Sequence, residues 1–338
     1  MNIFIDTNVF LSFFHFSNED LEELNKLSVL LNKKKARLFL PEQVRDEFAR
    51  NRAVKIVDAV KNVRGAKISL SFPQMYKDYP EYAATRKAIQ AAEDQLKRLN
   101  ARVEADIDAV TLKADQAIAT LFSNATTFPI SDDILARARR RVDLGNPPGK
   151  KGSHGDAVNW ETLLEHVPDG EDLYIISNDG DFASDLDPDT SIDPFLDNEW
   201  QKRKQSHVMF HKRLSSFFQQ KFPEIHLASE LEKELLIVDL ANSSSFAGTK
   251  QTLRTLRNYT EFTPAQVNSI LEAAGSNSQI HWIIKDTDVE PFFRQLINDY
   301  KSKIDQLILT RVLYRLGDVN VSTYFAAVFG EDSAEEEQ

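Results

Sequence analysis

The spacing of apolar residues in the first part of the chain switches between strand-like runs and helix-like stripes. Residues 3–5 are apolar and the run stops at Asp6, which predicts a short buried strand. Leucines recur at helical spacing over residues 19–32. Residues 36–40 (ARLFL) then predict a second strand, and Pro41 suits the first position of a following helix. This alternation predicts an α/β domain with a mainly parallel sheet.

The strand pattern returns after a long helical stretch. Residues 173–177 (LYIIS) predict a buried strand, residues 205–221 predict a helix, and residues 224–228 (EIHLA) predict a last strand. Polar residues just beyond the carboxyl ends of parallel strands line the ligand crevice of such domains. We therefore look for functional residues directly after each predicted strand.

The last third of the chain has a helical pattern instead. Thr263 fits the N-cap, Pro264 the first turn and Gln266 the capping-box partner of one clear helix. We expect three parts, which are an α/β domain, a smaller helical domain and an acidic tail: residues 1–229, 230–330 and 331–338.

A long polar helical stretch interrupts the first domain. Neither Gly nor Pro occurs between Glu81 and Phe122, and apolar residues recur at steps of three and four. One helix would span about 60 Å at 1.5 Å per residue, and a two-helix hairpin fits the pattern equally well. We expect an insertion at about residues 81–122 whose apolar seam needs a partner. That partner is another part of the chain, a second copy, or a substrate or protein. The seam positions are Ile89, Ala92, Leu96, Leu99, Val103, Ile107 and Val110.

Composition limits the class of protein. The chain of 338 residues is 42% apolar and 28% charged, which is typical of a globular protein. It contains no Cys, which excludes disulfides, thiolate zinc sites and a Cys nucleophile. A net charge of −11 argues against a general nucleic-acid coat, yet it permits a local basic rim. No run reaches the roughly 18 apolar residues of a membrane span, so we expect a soluble cytoplasmic protein.

Acidic residues stand where this fold presents side chains to its cleft. They are Asp6, Glu47, Asp156 and Asp179, with Asp181 close behind. Converging carboxylates repel one another unless a cation neutralises them, and Mg²⁺ and Mn²⁺ prefer oxygen ligands. The pattern therefore predicts a metal-dependent phosphodiesterase centre.

Each acid also has an ordinary structural explanation. Asp6 could shape a turn after the first strand, and Glu47 could be a solvated helix residue. Asp156 could be a helix N-terminal acid that the macrodipole favours. Asp179 and Asp181 could form an Asx turn. Their joint order along the chain is what favours a shared site.

The sequence resembles the PIN-domain nucleases at four motifs: FIDTNVFL, LPEQVRDEF, GDAVNW and SNDGDF. They occur in family order over residues 1–54 and about 140–228, which implies that residues 1–229 form a PIN-like nuclease domain. The helical parts look like those of a larger bacterial PIN-like group. The resemblance implies that Asp6, Asp156 and Asp179 bind Mg²⁺ or Mn²⁺ directly. Glu47 would bind a second ion or orient water, and Asp181 would be an outer ligand or a loop cap.

Several neighbouring residues are candidates for supporting roles. Asn8 and Ser177 could hold the carboxylates or a scissile phosphate in place. Asn159 lies one helical turn beyond Asp156, so it could contact substrate or face solvent. A basic cluster precedes Asp156 and could guide a phosphate backbone or form a solvated surface. Its members include Arg140, Arg141, Lys150 and Lys151.

The resemblance implies a metal-dependent endonuclease that cuts RNA, in a toxin or phage-defence setting. Its partners would be RNA, a second copy bound through the helical insertion, and a regulatory protein. A structure-specific DNA nuclease and a non-catalytic RNA- or protein-binding scaffold remain as alternatives. A haloacid-dehalogenase-type phosphatase is disfavoured, because Asn8 stands where that chemistry needs a second acid.

Overall fold

The computed structural model describes residues 1–14, 21–66, 70–149 and 153–329. A parallel sheet with the strand order β3-β2-β1-β4-β5 forms the centre of the first compact unit. Its strands are β1 (Asn2–Ile5), β2 (Arg37–Pro41), β3 (Thr126–Phe128), β4 (Leu173–Ile176) and β5 (Val208–His211). The α/β class and the parallel sheet predicted from the sequence are confirmed.

Helices account for most of the remaining described chain. In the first unit they are α1 (Thr7–Ser12), α2 (Leu21–Asn32), α3 (Glu42–Arg64), α4 (Pro80–Ala109), α5 (Lys113–Asn124), α6 (Asp132–Asp143), α7 (Gly155–His166), α8 (Pro194–Lys204) and α9 (Leu214–Lys221). Then follow α10 (Ala228–Ala241), α11 (Phe246–Leu256), α12 (Pro264–Ser276), α13 (Ser278–Ile283), α14 (Glu290–Tyr300), α15 (Gln306–Leu316) and α16 (Val321–Phe329).

The two central strands explain where the acidic residues come together. Every residue of β1 and β4 is buried, as expected for strands covered on both faces of a parallel sheet. Ile5 is paired with Ile176, and the Asp6 amide donates to the Ile176 carbonyl over 2.9 Å. Asp6 and Ser177 therefore emerge side by side at the carboxyl edge of the sheet.

Several sequence expectations about strands and their neighbours were wrong. Residues 205–221 are not one helix, because β5 precedes α9 there. Residues 224–228 form no strand, and α10 begins at Ala228. The three-residue strand β3 was not predicted from the sequence, because its residues do not form an apolar run. Pro41 ends β2 and caps α3 instead of opening that helix.

The helical insertion is shorter than the pattern over residues 81–122 suggested. Val110 adopts a left-handed conformation with φ 56° and ends α4. The following helix α5 packs against α2 and buries Ile118 and Leu121, so it belongs to the core of the domain. The insertion therefore consists of α4 and the segment before it.

No residue of α4 is buried, although the helix has 30 residues. Asn100 donates to the Val63 carbonyl over 3.4 Å, and Glu104 pairs with Arg64 over 2.8 Å, which ties α4 to the end of α3. The seam residue Leu99 is 56% exposed. Self-association through this seam stays a prediction.

The second compact unit begins at Ser229 and has its own apolar core. Packing between α12 and α15 dominates it, and the capping box of Thr263 and Gln266 opens α12 as predicted. None of the helices in the described ranges combines the length and the apolar character that a membrane crossing requires. The acidic tail over 331–338 lies outside the described residues.

Candidate acidic centre

Asp6 is held rigidly at the end of β1. It is 3% exposed, and each carboxylate oxygen accepts a hydrogen bond. The Thr7 amide donates to Oδ1 over 2.7 Å, and the Ser177 hydroxyl donates to Oδ2 over 2.7 Å. Asp6 caps α1, so the same residue ends the strand and begins the helix. Its orientation is therefore fixed by two strands and one helix.

Glu47 reaches the same place from α3. The Thr7 hydroxyl donates to Glu47 Oε2 over 3.4 Å, which makes Thr7 the link between two of the acids. The first residue of α7 lies against the same carboxylate. A Cβ placed on Gly155 would lie 3.6 Å from Glu47 Oε2 and 3.0 Å from Gln43 Nε2. A glycine at this position lets α7 begin close to α3.

Asp179 and Asp181 follow β4 in a hydrogen-bonded turn. The Asp179 amide donates to the Ser177 hydroxyl over 3.1 Å, and the Asp181 amide donates to Asp179 Oδ1 over 3.1 Å. Ser177 is fully buried and contacts both Asp6 and the Asp179 backbone. The Asx turn and the proposed functional role are therefore compatible, because the turn fixes both acids beside Asp6.

Asp156 completes the group from the first turn of α7. Burial raises its pKa to about 8, and the charges of Asp6, Asp179, Asp181 and Glu47 contribute to the increase in that order. Burial likewise raises the pKa of Asp6 to about 6 against the lowering effect of its hydrogen bonds. A helix N-terminus favours a carboxylate, so here burial and repulsion outweigh the macrodipole. The four other carboxylates predicted from the sequence thus lie within electrostatic reach of Asp156.

The side chains of the acidic centre have the chemistry that a divalent cation prefers. Every candidate ligand is an oxygen, and the mutual repulsion is of the kind that a hard cation relieves. The side-chain oxygen of Asn8 is also buried and has no hydrogen-bond partner among the described residues. Within those residues, however, no three acidic or histidine side chains already enclose a potential metal position.

The repulsion predicts an unusual effect of Asp156→Asn on stability in EDTA. Folding raises the pKa of Asp156 from 3.8 to about 8, so it favours the protonated carboxyl. The stabilisation of the folded state by the protonated Asp156 carboxyl is fully present below pH 4 and is lost as the pH rises through 8. The neutral variant should escape this loss. At pH 8 we expect the free energy of unfolding of Asp156→Asn to exceed that of the wild type by about 2 kcal/mol. Each pKa unit corresponds to about 1.4 kcal/mol, and the total is reduced because the coupled acids share the shift.

Urea denaturation in EDTA between pH 4 and pH 9 measures this difference. Asp132→Asn is a matched control, because Asp132 is an exposed acid in the first turn of α6. Its stability should follow the wild type across the range. A wild type whose stability does not fall relative to Asp156→Asn would contradict the repulsion.

The two asparagine candidates occupy different positions. Asn8 lies in α1 two residues after Asp6, and its unpartnered oxygen suits a supporting role beside the acids. Asn159 is completely buried in α7, and neither of its amide atoms has a partner in the described part of the chain. A solvated position for Asn159 is therefore wrong, and direct substrate contact stays a prediction.

The basic candidates separate into structural and exposed residues. Arg141 is buried and donates to Glu161 and Glu199, so it is not presented to a substrate and that expectation was wrong. Arg140 is exposed one residue earlier. Lys150 and Lys151 lie outside the described residues.

Sequence reasoning missed Thr7 and Gly155. Thr7 is 1% exposed and connects Asp6 to Glu47, whereas the sequence shows only a small polar residue after the aspartate. A glycine directly before an acid at a helix start was the available signal for a close helix approach.

A parallel sheet whose carboxyl edge gathers acids from β1, α3, α7 and the turn after β4 defines a PIN-like α/β protein. The family model for the PIN domain matches residues 3–182, just over half of the chain. The chain belongs to the PIN domain family, whose members are generally nucleases. No curated protein and no solved structure matches it.

Proposed function

We propose that the protein is a metal-dependent endonuclease that hydrolyses phosphodiester bonds of single-stranded RNA. The observation that carries the proposal is the convergence of Asp6, Glu47, Asp156 and Asp179 at one edge of the sheet. The family resemblance supports RNA as the substrate, and it suggests a toxin or phage-defence setting.

The side chains divide the work of the reaction. Asp6, Asp156 and Asp179 would hold one Mg²⁺ or Mn²⁺ ion, and Glu47 would hold a second or orient the attacking water. The bound cation supplies positive charge that neutralises the site and makes water a better nucleophile. Thr7 and Ser177 keep the Asp6 oxygens in place throughout, because each donates to one of them.

Hydrolysis adds the water oxygen to phosphorus and breaks the bond to one ester oxygen, which leaves with a proton. We assign the acceptance of the water proton to Glu47, which lies beside Asp6 and accepts a hydrogen bond from the Thr7 hydroxyl over 3.4 Å.

Metal removal and substrate exchange test the proposal together. We expect purified protein to cut a single-stranded RNA in Mg²⁺ or Mn²⁺ and to leave it intact in EDTA, because uncompensated carboxylates repel a phosphodiester. A DNA of the same sequence is the matched substrate, and products are resolved on denaturing gels. DNA cleavage with intact RNA would reverse the substrate assignment. Inertness toward both under every metal condition would favour a non-catalytic scaffold.

A further inference from the structure

A polar groove follows β5, which is the edge strand of the sheet. The groove encloses about 460 Å³ and is lined by β5, the 190–192 loop, α8 and α9. A second cavity of about 300 Å³ adjoins it and shares Thr190, Phe210, His211 and Gln220. His211 therefore contributes to both spaces at the carboxyl end of β5.

His211 is a buried polar group with an unused ring nitrogen. It is 7% exposed, and Nε2 has no hydrogen-bond partner among the described residues. Its ring stacks on Tyr174 at 6.3 Å and meets the edge of Phe217 at 5.5 Å. Burial, helped by Lys221, lowers its pKa to about 4, so the imidazole is neutral at physiological pH. A buried polar atom without a partner is costly, and a ligand in the groove would supply one.

The groove begins at β5, which neighbours β4 and lies two strands from β1, whose end carries Asp6. The Ser177 amide donates to the His211 carbonyl over 3.1 Å, and the Ser177 hydroxyl donates to Asp6 over 2.7 Å. Neighbouring strands lie about 4.8 Å apart, so the two spacings between the ends of β1 and β5 amount to about 10 Å. A single strand with one phosphodiester at Asp6 can therefore place an adjoining nucleotide at the His211 end of the groove.

The lining chemistry favours a base over a phosphate. No Lys or Arg lines either cavity among the described residues, whereas phosphate binding depends on cations. Gln201 Nε2 donates to Asp197 Oδ2 over 2.9 Å. The side-chain carbonyl oxygen of Gln201 and the other Asp197 oxygen then remain as acceptors in this part of the described structure. Carboxylate and amide oxygens accept from the amino groups of bases.

We propose that this groove binds the base of a nucleotide next to the cleaved phosphodiester and favours bases that carry an exocyclic amino group. Adenine, cytosine and guanine carry such a group, and uracil does not. Asp197 and Gln201 would accept from it, and His211 Nε2 would complete its hydrogen bonding with the same base. The inference rests on the nuclease function proposed above.

Mapping of cleavage sites on a partly randomised single-stranded RNA tests the groove. We expect the wild type to cut uridine-flanked sites about tenfold less well than the others, the size of one good base contact. Asp197→Asn and Gln201→Leu should each lower kcat/KM at the preferred sites and leave uridine-flanked sites nearly unchanged. Gln201 is exposed and Asp197 is half-buried on α8, so these variants should fold normally. Gln251→Leu is the control, because Gln251 is exposed on α11 outside the groove.

The outcomes separate failure of the inference from failure of the proposed function. The groove assignment would be overturned if cleavage showed no flanking-base preference, or if both variants retained the preference. It would also be overturned if the groove bound a peptide instead of a base. If the wild type cuts nothing, the proposed nuclease function fails. The groove is then tested by fluorescence anisotropy of oligo(C) and oligo(U) in Mg²⁺, since a protein that cuts nothing leaves both intact. Tighter binding of oligo(C) that Asp197→Asn abolishes would support it, and equal binding would overturn it.

Discussion

Replacing Asp6 by Asn is expected to reduce RNA cleavage by on the order of 10³-fold, which corresponds to about 4 kcal/mol of transition-state stabilisation. The amide has nearly the same shape and keeps an oxygen that can accept from Thr7 or Ser177. What it loses is the negative charge at the most rigid position of the acidic centre. The fold should therefore persist while cation binding and catalysis are lost.

Initial rates on a single-stranded RNA at saturating Mg²⁺ measure this effect, with circular dichroism to verify folding. Glu47→Gln should also lose activity, because Glu47 belongs to the same centre. Asp46→Asn is a closely matched control, since Asp46 is the exposed neighbour of Glu47 on α3. Full activity of Asp6→Asn and Glu47→Gln would show that the acidic centre is not the active site.

Arg141→Ala should cause a large loss of stability, about 3–5 kcal/mol in the free energy of unfolding. Arg141 donates to Glu161 over 2.6 Å, to Glu199 over 2.7 Å and to the Pro147 carbonyl over 2.7 Å. Glu199 also accepts from the indole of Trp160 over 2.8 Å. Removing the guanidinium takes two hydrogen bonds from Glu161, which is 3% exposed and keeps Arg137 at 3.1 Å.

Urea denaturation of Arg141→Ala and Arg140→Ala at neutral pH makes the comparison. Arg140 is the adjacent exposed residue on α6, so its removal should change the free energy of unfolding by less than about 0.5 kcal/mol. Equal stability of the two variants would mean that the buried ion pairs contribute little. A selective loss of RNA binding in Arg141→Ala at unchanged stability would restore a substrate role for this residue.

The central part of the fold was predictable because its signals are local. Short apolar runs that stop at a polar residue placed β1 and β4 correctly, and parallel strands bring their carboxyl ends to one edge. The shared edge of parallel strands was enough to predict that Asp6 and Asp179 lie close together. The position of Glu47 followed from a helix directly after β2.

The errors arose where tertiary structure overrides local pattern. A β-branched residue rarely adopts positive φ, so nothing in the sequence announced that Val110 would end α4. β5 has only four residues and continues into a helical pattern, which concealed it. Arg140 and Arg141 look alike in the sequence. Only the packing of α6 on α7 buries one and exposes the other.

The crowding of charge around Asp156 has a consequence for laboratory evolution. The proposed function requires acids that the metal-free protein would be more stable without, so under this proposal heat resistance and catalysis compete at the same positions. A library selected for thermal survival alone should enrich neutral residues at Asp6 and Asp156, and its winners would be inactive. Directed evolution of a thermostable and active variant therefore needs an activity screen in every round, or selection with the cation present.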